Sequence, residues 1–170
     1  MLCWPKIWAH EYWGLDDADG GAPDMVTFAK KMCSSGIYYQ RHLKVQEAYR
    51  VFNTWCGDPI KVLQSKVVTD VIKKKDLLQN VNETGAYLMN SLLDLVKEGK
   101  ISDVRGKGTF ISFDVADTEQ RQELIGLMRM NGVHVGPCGT KSIRLRPALI
   151  FEIKHAQIFV ERLEQSLNGL

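Results

Sequence analysis

The sequence predicts a protein of the α/β or α+β class, because segments with a strand pattern alternate with segments with a helical pattern. Polar and apolar residues alternate through "ISDVRGKGTFISFDV" and "GVHVGPCGTKSIRLRPALI", as they do in strands with one solvated face. Around these stretches, apolar residues recur at the spacing of amphipathic helices. A length of 170 residues suits one ordinary domain or pieces of two, and 45% hydrophobic residues can form a core.

The first residues predict a helix with an aromatic face. Trp4, Trp8 and Tyr12 follow one another at intervals of four residues, which indicates a helix over residues 5 to 14. This aromatic side needs a surface to pack on, and no earlier segment supplies one, so we expect the chain to be truncated. The opening "MLCWPKIWAHEYWG" has the features of neither a signal peptide nor an Arg-rich transit peptide, so we expect no targeting segment within these residues.

A loop and two strands are expected next. Residues 15 to 23, "LDDADGGAP", are rich in Gly, Asp and Pro and predict a loop. Residues 24 to 29 predict a short buried strand, which a Ser-Gly turn follows at 34 to 36. The segment "AYRVFNTW" predicts a second strand that runs into a loop.

A helix with a clear start follows this loop. In "GDPIKVLQSKVVTDVIKKK", Asp58 is placed to cap the helix and Pro59 to occupy its first helical position. The lysines at 73 to 75 are most simply a solvated helix end. The apolar face is expected to consist of Val62, Leu63, Val67, Val71 and Ile72.

The second half of the chain predicts a long helix and then strands alternating with helices. The long helix runs from Leu77 to Lys97, and Gly99 is placed to end it. We expect a domain boundary near residues 76 to 99. The apolar face of the long helix contains Leu88, Leu92, Leu95 and Val96, and the later segments are strands within 101–115 and 132–150 and helices near 118–131 and 154–168.

Composition and cysteine spacing exclude several classes of function. Lys plus Arg is 22 and Asp plus Glu is 20, so a net charge of +2 gives no electrostatic footprint for nucleic acid. No apolar run approaches the roughly 20 residues that a membrane span needs. The four cysteines lack Cys-x-x-Cys spacing and the four histidines are dispersed, so we expect reduced thiols and no metal site.

Five strings of the sequence carry a resemblance to a known family. "WAHEYWGLDD", "FAKKM", "YRVFNTWCGDP", "VRGKGTF" and "KSIRLRPALIF" occur in the order and approximate spacing of class III pyridoxal-phosphate aminotransferases. "VRGxG" and "IRxRP" mark class III in general. "FNTWxGDP" and "WAHExWGLDD" favour its eukaryotic 4-aminobutyrate aminotransferases over the ornithine and acetylornithine enzymes. From about Lys6 onward, the chain therefore resembles the C-terminal part of that branch of the family.

This resemblance implies an α/β fold that is the C-terminal fragment of a fold-type-I pyridoxal-phosphate enzyme. Residues 1–76 would be the end of the large cofactor-binding domain. Residues 77–170 would be the α+β small domain, with a linking helix at 77–98. The family's aspartate for the pyridine nitrogen, its phosphate loop and its arginine for the 4-aminobutyrate carboxylate would lie upstream of residue 1.

The resemblance assigns the catalytic lysine to Lys30. In the family, a lysine six residues after the aspartate that begins the strand bonds covalently to pyridoxal 5'-phosphate, and Asp24 plus six is Lys30. An amine at the end of an apolar strand is desolvated, which favours the neutral nucleophile. The simpler alternative is that Lys30 and Lys31 both point into solvent.

The loop that follows the lysine departs from the family. Many members have a Gly-Gly turn here, whereas this chain has Ser34 and Ser35 before Gly36. A serine at a position that needs a positive φ would cost about 1 kcal/mol.

The resemblance assigns Thr54 to the cofactor phosphate of a second subunit. A hydroxyl and backbone N–H groups beside the start of a helix suit a phosphate. If Thr54 has this role, the protein must be a homodimer to complete its sites. The alternative from the sequence alone is a local Ser/Thr turn ahead of Asp58.

The resemblance assigns substrate binding to Arg144. Arg144 and Arg146 are two apart on a predicted strand, so both lie on one face while Ile143 and Leu145 lie on the other. In the family, the first arginine of this string pairs with a glutamate in one half-reaction and with the 2-oxoglutarate carboxylate in the other. We interpret Arg146 as structural, and a solvated face with two charges is the alternative for both.

Two hypotheses about function follow. The chain is either the C-terminal portion of a mitochondrial 4-aminobutyrate:2-oxoglutarate transaminase, with ping-pong chemistry through Lys30, or a truncated non-catalytic product. Such a product would dock on a full-length subunit or fold poorly alone. In either case we expect the isolated chain to lack activity.

Overall fold

The computed structural model describes residues 24–170, which form two compact units over residues 24–77 and 78–170. The helix predicted over 5–14 and the loop predicted over 15–23 lie outside the described residues.

The first unit begins with a β-hairpin. Strand β1 (Met25–Phe28) pairs antiparallel with β2 (Gly36–Tyr39), with Met25 opposite Tyr39 and Phe28 opposite Gly36. Between the strands, Lys30–Met32 form one turn of 3₁₀ helix, and a second such turn, Arg41–Leu43, follows β2. The Phe28 ring stacks on Tyr38 with 5.0 Å between centroids, so an aromatic pair supports the strand register.

Two strand predictions in this unit need correction. The strand predicted over 24–29 forms, but it is not buried, since the Met25 side chain is 52% exposed. The second strand is Gly36–Tyr39, whereas "AYRVFNTW" (48–55) contains turns and no strand. The backbone N–H and C=O groups of a strand need hydrogen-bond partners on a neighbouring strand. Gly36–Tyr39 supplies these partners to β1 because it follows β1 after a short connection.

Helix α1 (Pro59–Lys74) starts as its sequence predicts. The Asp58 Oδ1 accepts hydrogen bonds from the N–H groups of Ile60 at 2.8 Å and Lys61 at 3.4 Å, and Pro59 occupies the first turn. The expected apolar face is buried only at Ile72. Among the described residues, the other members remain largely exposed, from 38% to 61%: Val62, Leu63, Val67 and Val71.

The second unit contains a four-stranded antiparallel sheet and three helices, in agreement with the sequence pattern. The elements are α2 (Leu77–Lys97), β3 (Ser102–Lys107), β4 (Phe110–Asp114), α3 (Thr118–Met130), β5 (Gly136–Cys138), β6 (Ser142–Leu145) and α4 (Ile153–Leu167). The sheet order is β3-β4-β6-β5.

Helix α2 ends where a glycine allows it to end. Gly99 has a φ of +74°, and its N–H donates to the Val96 carbonyl while the Lys100 N–H donates to the Leu95 carbonyl. This pair of bonds is a Schellman motif, which favours glycine because its φ is left-handed. The prediction that Gly99 stops the helix is confirmed.

One face of the sheet and the three helices enclose the core of the second unit. Strands β4 and β6 contribute Ile111, Phe113, Ile143 and Leu145, all at most 7% exposed. The opposite face of the same strands carries polar side chains, because successive residues of a strand alternate in direction. The helical part of the core consists of Leu88, Leu92, Leu95, Leu124, Ile125, Met128, Ala156, Phe159, Val160 and Leu163.

Candidate active site

The predicted site residues belong to both units. Lys30 and Thr54 lie in the first unit, and Arg144 lies in the second.

Lys30 occupies a turn and not the end of the strand. It is the first residue of the 3₁₀ turn after β1, its carbonyl accepts the Cys33 N–H at 2.8 Å, and its side chain is exposed. Lys31 is half-buried. Because both lysines belong to this turn, the alternation of side chains along a strand does not set their directions. In a 3₁₀ turn with three residues per turn, neighbouring side chains point about 120° apart, which also separates them.

The Lys30 backbone is unusual for a residue with a side chain. Its φ is +57°, in the left-handed region, and Cys33 at the end of the same turn has a φ of +55°. Each such residue costs about 1–2 kcal/mol, and backbone outliers of this kind cluster at functional sites. Neither Ser34 nor Ser35 has a positive φ, so the departure from the family's Gly-Gly turn causes no strain at the serines.

Thr54 lies on a turn that other atoms hold in place. The Asn53 side-chain oxygen accepts the Trp55 N–H at 2.9 Å, and the Asn53 carbonyl accepts the Cys56 N–H at 3.1 Å. Because Asn53 makes the turn, the alternative of a local turn made by the Thr54 hydroxyl is wrong. The exposed hydroxyl of Thr54 takes no part in these hydrogen bonds.

Arg144 and Arg146 line a groove of about 430 Å³ in the second unit. Ile143 and Leu145 point into the core, which confirms the predicted alternation along β6. Arg144 is half-buried and Arg146 is exposed, and neither guanidinium has an ion-pair partner among residues 24–170. The walls are mainly apolar and include Leu88, Val133, Val135, Phe151, Ile158 and Phe159.

The loop on one side of this groove is fixed by helix α2. The Asn80 Nδ2 donates to the Leu149 carbonyl at 2.8 Å and to the Phe151 carbonyl at 2.9 Å. The adjoining His155 uses Nδ1 to accept the Glu152 N–H at 3.0 Å. A half-buried, unpaired guanidinium in a groove with apolar walls can bind a carboxylate, and the planar fork of arginine suits two oxygens.

A polar network lies on the solvent face of the sheet beside Arg144. The Arg105 guanidinium donates to Asp114 Oδ1 at 2.9 Å and to Ser142 Oγ at 3.0 Å, and the Ser142 hydroxyl donates to Asp114 Oδ1 at 2.6 Å. Neither Asp114 nor Ser142 is predicted as a site residue from the sequence. The "VRGKG" string identifies Arg105 as a family residue. Asp114 is 9 residues from Arg105, and Ser142 is 28 residues from Asp114, so no local sequence pattern links the three.

These hydrogen bonds shift the ionisation of the buried carboxyl. The Ser142 hydroxyl is the main cause that lowers the pKa of Asp114 below its ordinary value of 3.8. The Arg105 guanidinium lowers it further, while burial opposes both. In turn, Asp114 raises the pKa of Arg105.

Replacing Asp114 by Asn should remove an acid-sensitive part of the stability. A carboxyl whose pKa is depressed on folding stabilises the fold above its unfolded pKa, and this stabilisation is lost as the pH falls through the folded pKa. At about pH 6 we expect Asp114→Asn to cost about 1–3 kcal/mol. Below about pH 4 the difference from wild type should shrink. Urea unfolding of both chains at several pH values measures this, and a difference independent of pH would contradict it.

No metal cluster is present in the part of the chain that the structure describes. Residues 24–170 contain no group of three or more His, Cys, Asp or Glu that could hold a metal ion. Over the same residues, no helix is both long and apolar enough to cross a membrane. Cys33, Cys56 and Cys138 are free thiols.

The first unit contains groups that fit parts of pyridoxal phosphate. The exposed Lys30 amine fits covalent attachment to a carbonyl, and the exposed Thr54 hydroxyl fits a phosphate oxygen. The first amides of α1 are less suitable for the phosphate than the sequence indicated. Two of them already donate to the Asp58 carboxylate, whose charge would repel a phosphate.

Comparison with solved structures defines the class of protein. A lysine aminotransferase from M. tuberculosis, in the internal aldimine form, matches with a TM-score of 0.83 and 25% identity, over 90% of this chain and 37% of that one. An acetylornithine aminotransferase from Elizabethkingia anophelis matches with a TM-score of 0.80 over 91% of this chain and 43% of that one. At 19% identity the latter match concerns the fold alone. The fold is thus that of a fragment of a fold-type-I aminotransferase.

The sequence itself places the chain within one family. The profile of the family described as aminotransferase class-III matches residues 5–167, so the chain belongs to this family. It is 47% identical over 160 residues to the mitochondrial 4-aminobutyrate aminotransferase of Mus musculus. It is 46% identical to the enzyme of that name from Homo sapiens and 42% identical to the 4-aminobutyrate aminotransferase of Dictyostelium discoideum.

These relatives are much longer than the chain. The alignments cover 93% of this chain but only 31% of the mouse and human proteins. With the Dictyostelium relative the figures are 97% and 33%. The chain therefore spans about a third of the length of the curated relatives it matches.

Proposed function

We propose that this chain is the C-terminal portion of a 4-aminobutyrate:2-oxoglutarate transaminase that uses pyridoxal phosphate. The observation that carries the proposal is 40–47% identity, over at least 91% of the chain, to 4-aminobutyrate aminotransferases from animals, fungi and Dictyostelium. The overall reaction would move the amino group of 4-aminobutyrate to 2-oxoglutarate in two half-reactions of a ping-pong cycle, giving succinic semialdehyde and glutamate.

Lys30 would hold the cofactor covalently and move the proton. When bound, pyridoxal phosphate supplies an electron sink for the charge that develops at the amino carbon. The Lys30 side chain is exposed on the 3₁₀ turn, so a cofactor can reach it, and it points about 120° away from Lys31. The desolvation expected at the end of a buried strand, however, is not present among the described residues. A neutral amine at this position can remove a proton from one carbon and return it to another.

Arg144 would bind a substrate carboxylate, and Thr54 would bind the cofactor phosphate. The absence of an ion-pair partner for Arg144 among the described residues leaves its guanidinium free for a carboxylate. The free hydroxyl of Thr54 can donate one hydrogen bond to a phosphate oxygen. If the phosphate belongs to a second subunit, the enzyme is a homodimer.

The larger organisation is part of the same proposal. Residues 1–76 would end the large cofactor-binding domain, and residues 77–170 would form the small domain. The division of the described chain after residue 77 supports this assignment. The mitochondrial names of the mouse, pig and nematode relatives support a location in the mitochondrial matrix.

The test uses the full-length enzyme, meaning the gene product that contains these 170 residues together with the upstream part that its relatives have. With 4-aminobutyrate, 2-oxoglutarate and pyridoxal phosphate, it should form glutamate. The 170-residue chain should form none above the free-cofactor background, because preorganised contacts supply much of such an enzyme's rate. A full-length enzyme with bound cofactor but no glutamate formation would refute the proposed reaction.

A second candidate function rests on exposed apolar side chains in the first unit. Phe52, Trp55 and Leu63 are 75%, 79% and 61% exposed, which is unusual for large apolar residues of a self-sufficient domain. A non-catalytic product could cover them by docking on a full-length subunit. The coding sequence upstream of residue 1 distinguishes the two candidates, since an open frame encoding the missing cofactor loops favours the transaminase.

A further inference from the structure

We propose that Arg105, Asp114 and Ser142 act as a positioning network for Arg144, fixing its guanidinium where it can bind the carboxylate of a dicarboxylic oxo acid. This rests on the proposed function, because it assigns the network to the 2-oxoglutarate half-reaction. None of the three residues needs to touch the substrate.

The network ties together three neighbouring strands. Arg105 is on β3, Asp114 on β4 and Ser142 on β6, and every pair among the three is joined by a hydrogen bond of 2.6–3.0 Å. Lys141, the residue before β6, lies 3.6 Å from the other carboxylate oxygen of Asp114. One buried carboxylate therefore holds β6 at its first residues.

The sheet register links this network to Arg144. Asp114 is opposite Ser142 and Ser112 is opposite Arg144, so the network occupies the pair next to Arg144 on the same face. A slip of one residue between β4 and β6 would turn every side chain of β6 to the other face. Arg144 would then lie on the core face of the sheet and Ile143 on the face that carries the network.

Arg144 depends on its strand for its direction. Its guanidinium has no ion-pair partner among the described residues, so no contact of its own charge fixes the side chain. Arg105, by contrast, is held by Asp103, Asp114 and Ser142. The position of Arg144 must therefore come from the backbone of β6, which the buried carboxylate holds.

Asp103 provides a matched control for Asp114. Both carboxylates bind the same Arg105 Nη1, at 2.8 and 2.9 Å, but Asp103 is exposed and does not contact Ser142. Asp103→Asn and Asp114→Asn thus each neutralise one partner of Arg105. Only Asp114→Asn weakens the link to β6. Asn also tolerates the φ of +47° at position 103.

The experiment measures steady-state constants of the full-length enzyme for both substrates. We expect Asp114→Asn to raise KM for 2-oxoglutarate about 10-fold while KM for 4-aminobutyrate changes less than about 2-fold, because a misplaced binding group weakens one substrate selectively. Ser142→Ala should shift the same constant in the same direction. Ser142→Thr, which keeps the hydroxyl, should restore it, and Asp103→Asn should resemble wild type.

A double variant tests whether the network acts through Arg144. In an Arg144→Gln background, Asp114→Asn should have no further effect on KM for 2-oxoglutarate, because coupled residues are not additive. Additive effects would overturn the inference, as would equal effects of Asp103→Asn and Asp114→Asn. If Asp114→Asn does not fold, the KM values of Ser142→Ala and Ser142→Thr for 2-oxoglutarate test the network in its place. An inactive wild-type enzyme would instead refute the proposed function.

Discussion

Replacing Lys30 by Ala in the full-length enzyme is expected to lower transamination by at least about 10³-fold. No other amine on this turn would have the direction needed to hold the cofactor and move the proton. The change should not disturb the fold, because the Lys30 side chain is exposed and Ala pays the same cost at a φ of +57°. Glutamate formation and the absorbance of bound cofactor are the measurements.

Lys31→Ala is the matched control for this prediction. Lys31 is half-buried, so its replacement removes more packing than Lys30→Ala, yet we expect activity to remain within a few-fold of wild type. Borohydride reduction followed by a tryptic map should find the cofactor on Lys30 alone. An adduct on Lys31, or an active Lys30→Ala enzyme, would show that the lysine assignment is wrong.

The elements with local signals could be predicted from the sequence. Asp58 caps a helix that starts at Pro59, the long helix runs from Leu77 to Lys97, and Gly99 ends it, all as predicted. Caps and helical periodicity depend on residues within one or two turns, so a single sequence contains the information. The alternation of Ile143, Arg144 and Leu145 across β6 is local in the same sense.

Burial in the first unit could not be predicted in this way. The pattern of Val62, Leu63 and Val67 indicates an apolar helix face, but burial also requires a partner surface, and the described residues supply none. Nor could the pattern around Lys30 indicate a left-handed turn, because lysine has no preference for that conformation. The exposed apolar face of α1 is consistent with the match to longer relatives, since about two thirds of their length has no counterpart in this chain.

The hydrogen-bond network around Asp114 also could not be predicted from the sequence. Its hydrogen bonds join residues on three strands, and their partners are set by the order β3-β4-β6-β5. Strand order is a non-local property that alternation does not specify. Arg144 could therefore be assigned to a face from the sequence, whereas the residues that hold its strand in place became visible only in the folded chain.

Gly85→Ala is expected to destabilise the second unit strongly, although it replaces a helical glycine by the best helix former. Gly85 lies within α2, where alanine would normally gain about 1 kcal/mol. A Cβ at this position would, however, lie 2.6 Å from the Gly108 Cα and closer still to its carbonyl group, which belongs to the turn between β3 and β4. Backbone atoms cannot move aside as a flexible side chain can. We expect a loss of about 3 kcal/mol.

Gly126→Ala isolates the effect of this close approach. Gly126 also lies within a helix, α3, but a Cβ there would meet nothing within 4 Å. The same substitution should therefore stabilise the chain by about 0.5–1 kcal/mol, because alanine has the higher helix propensity. Urea unfolding followed by circular dichroism should give opposite signs for the two variants. If Gly85→Ala were neutral or stabilising, helix α2 could not pack directly on the backbone of the β3–β4 turn.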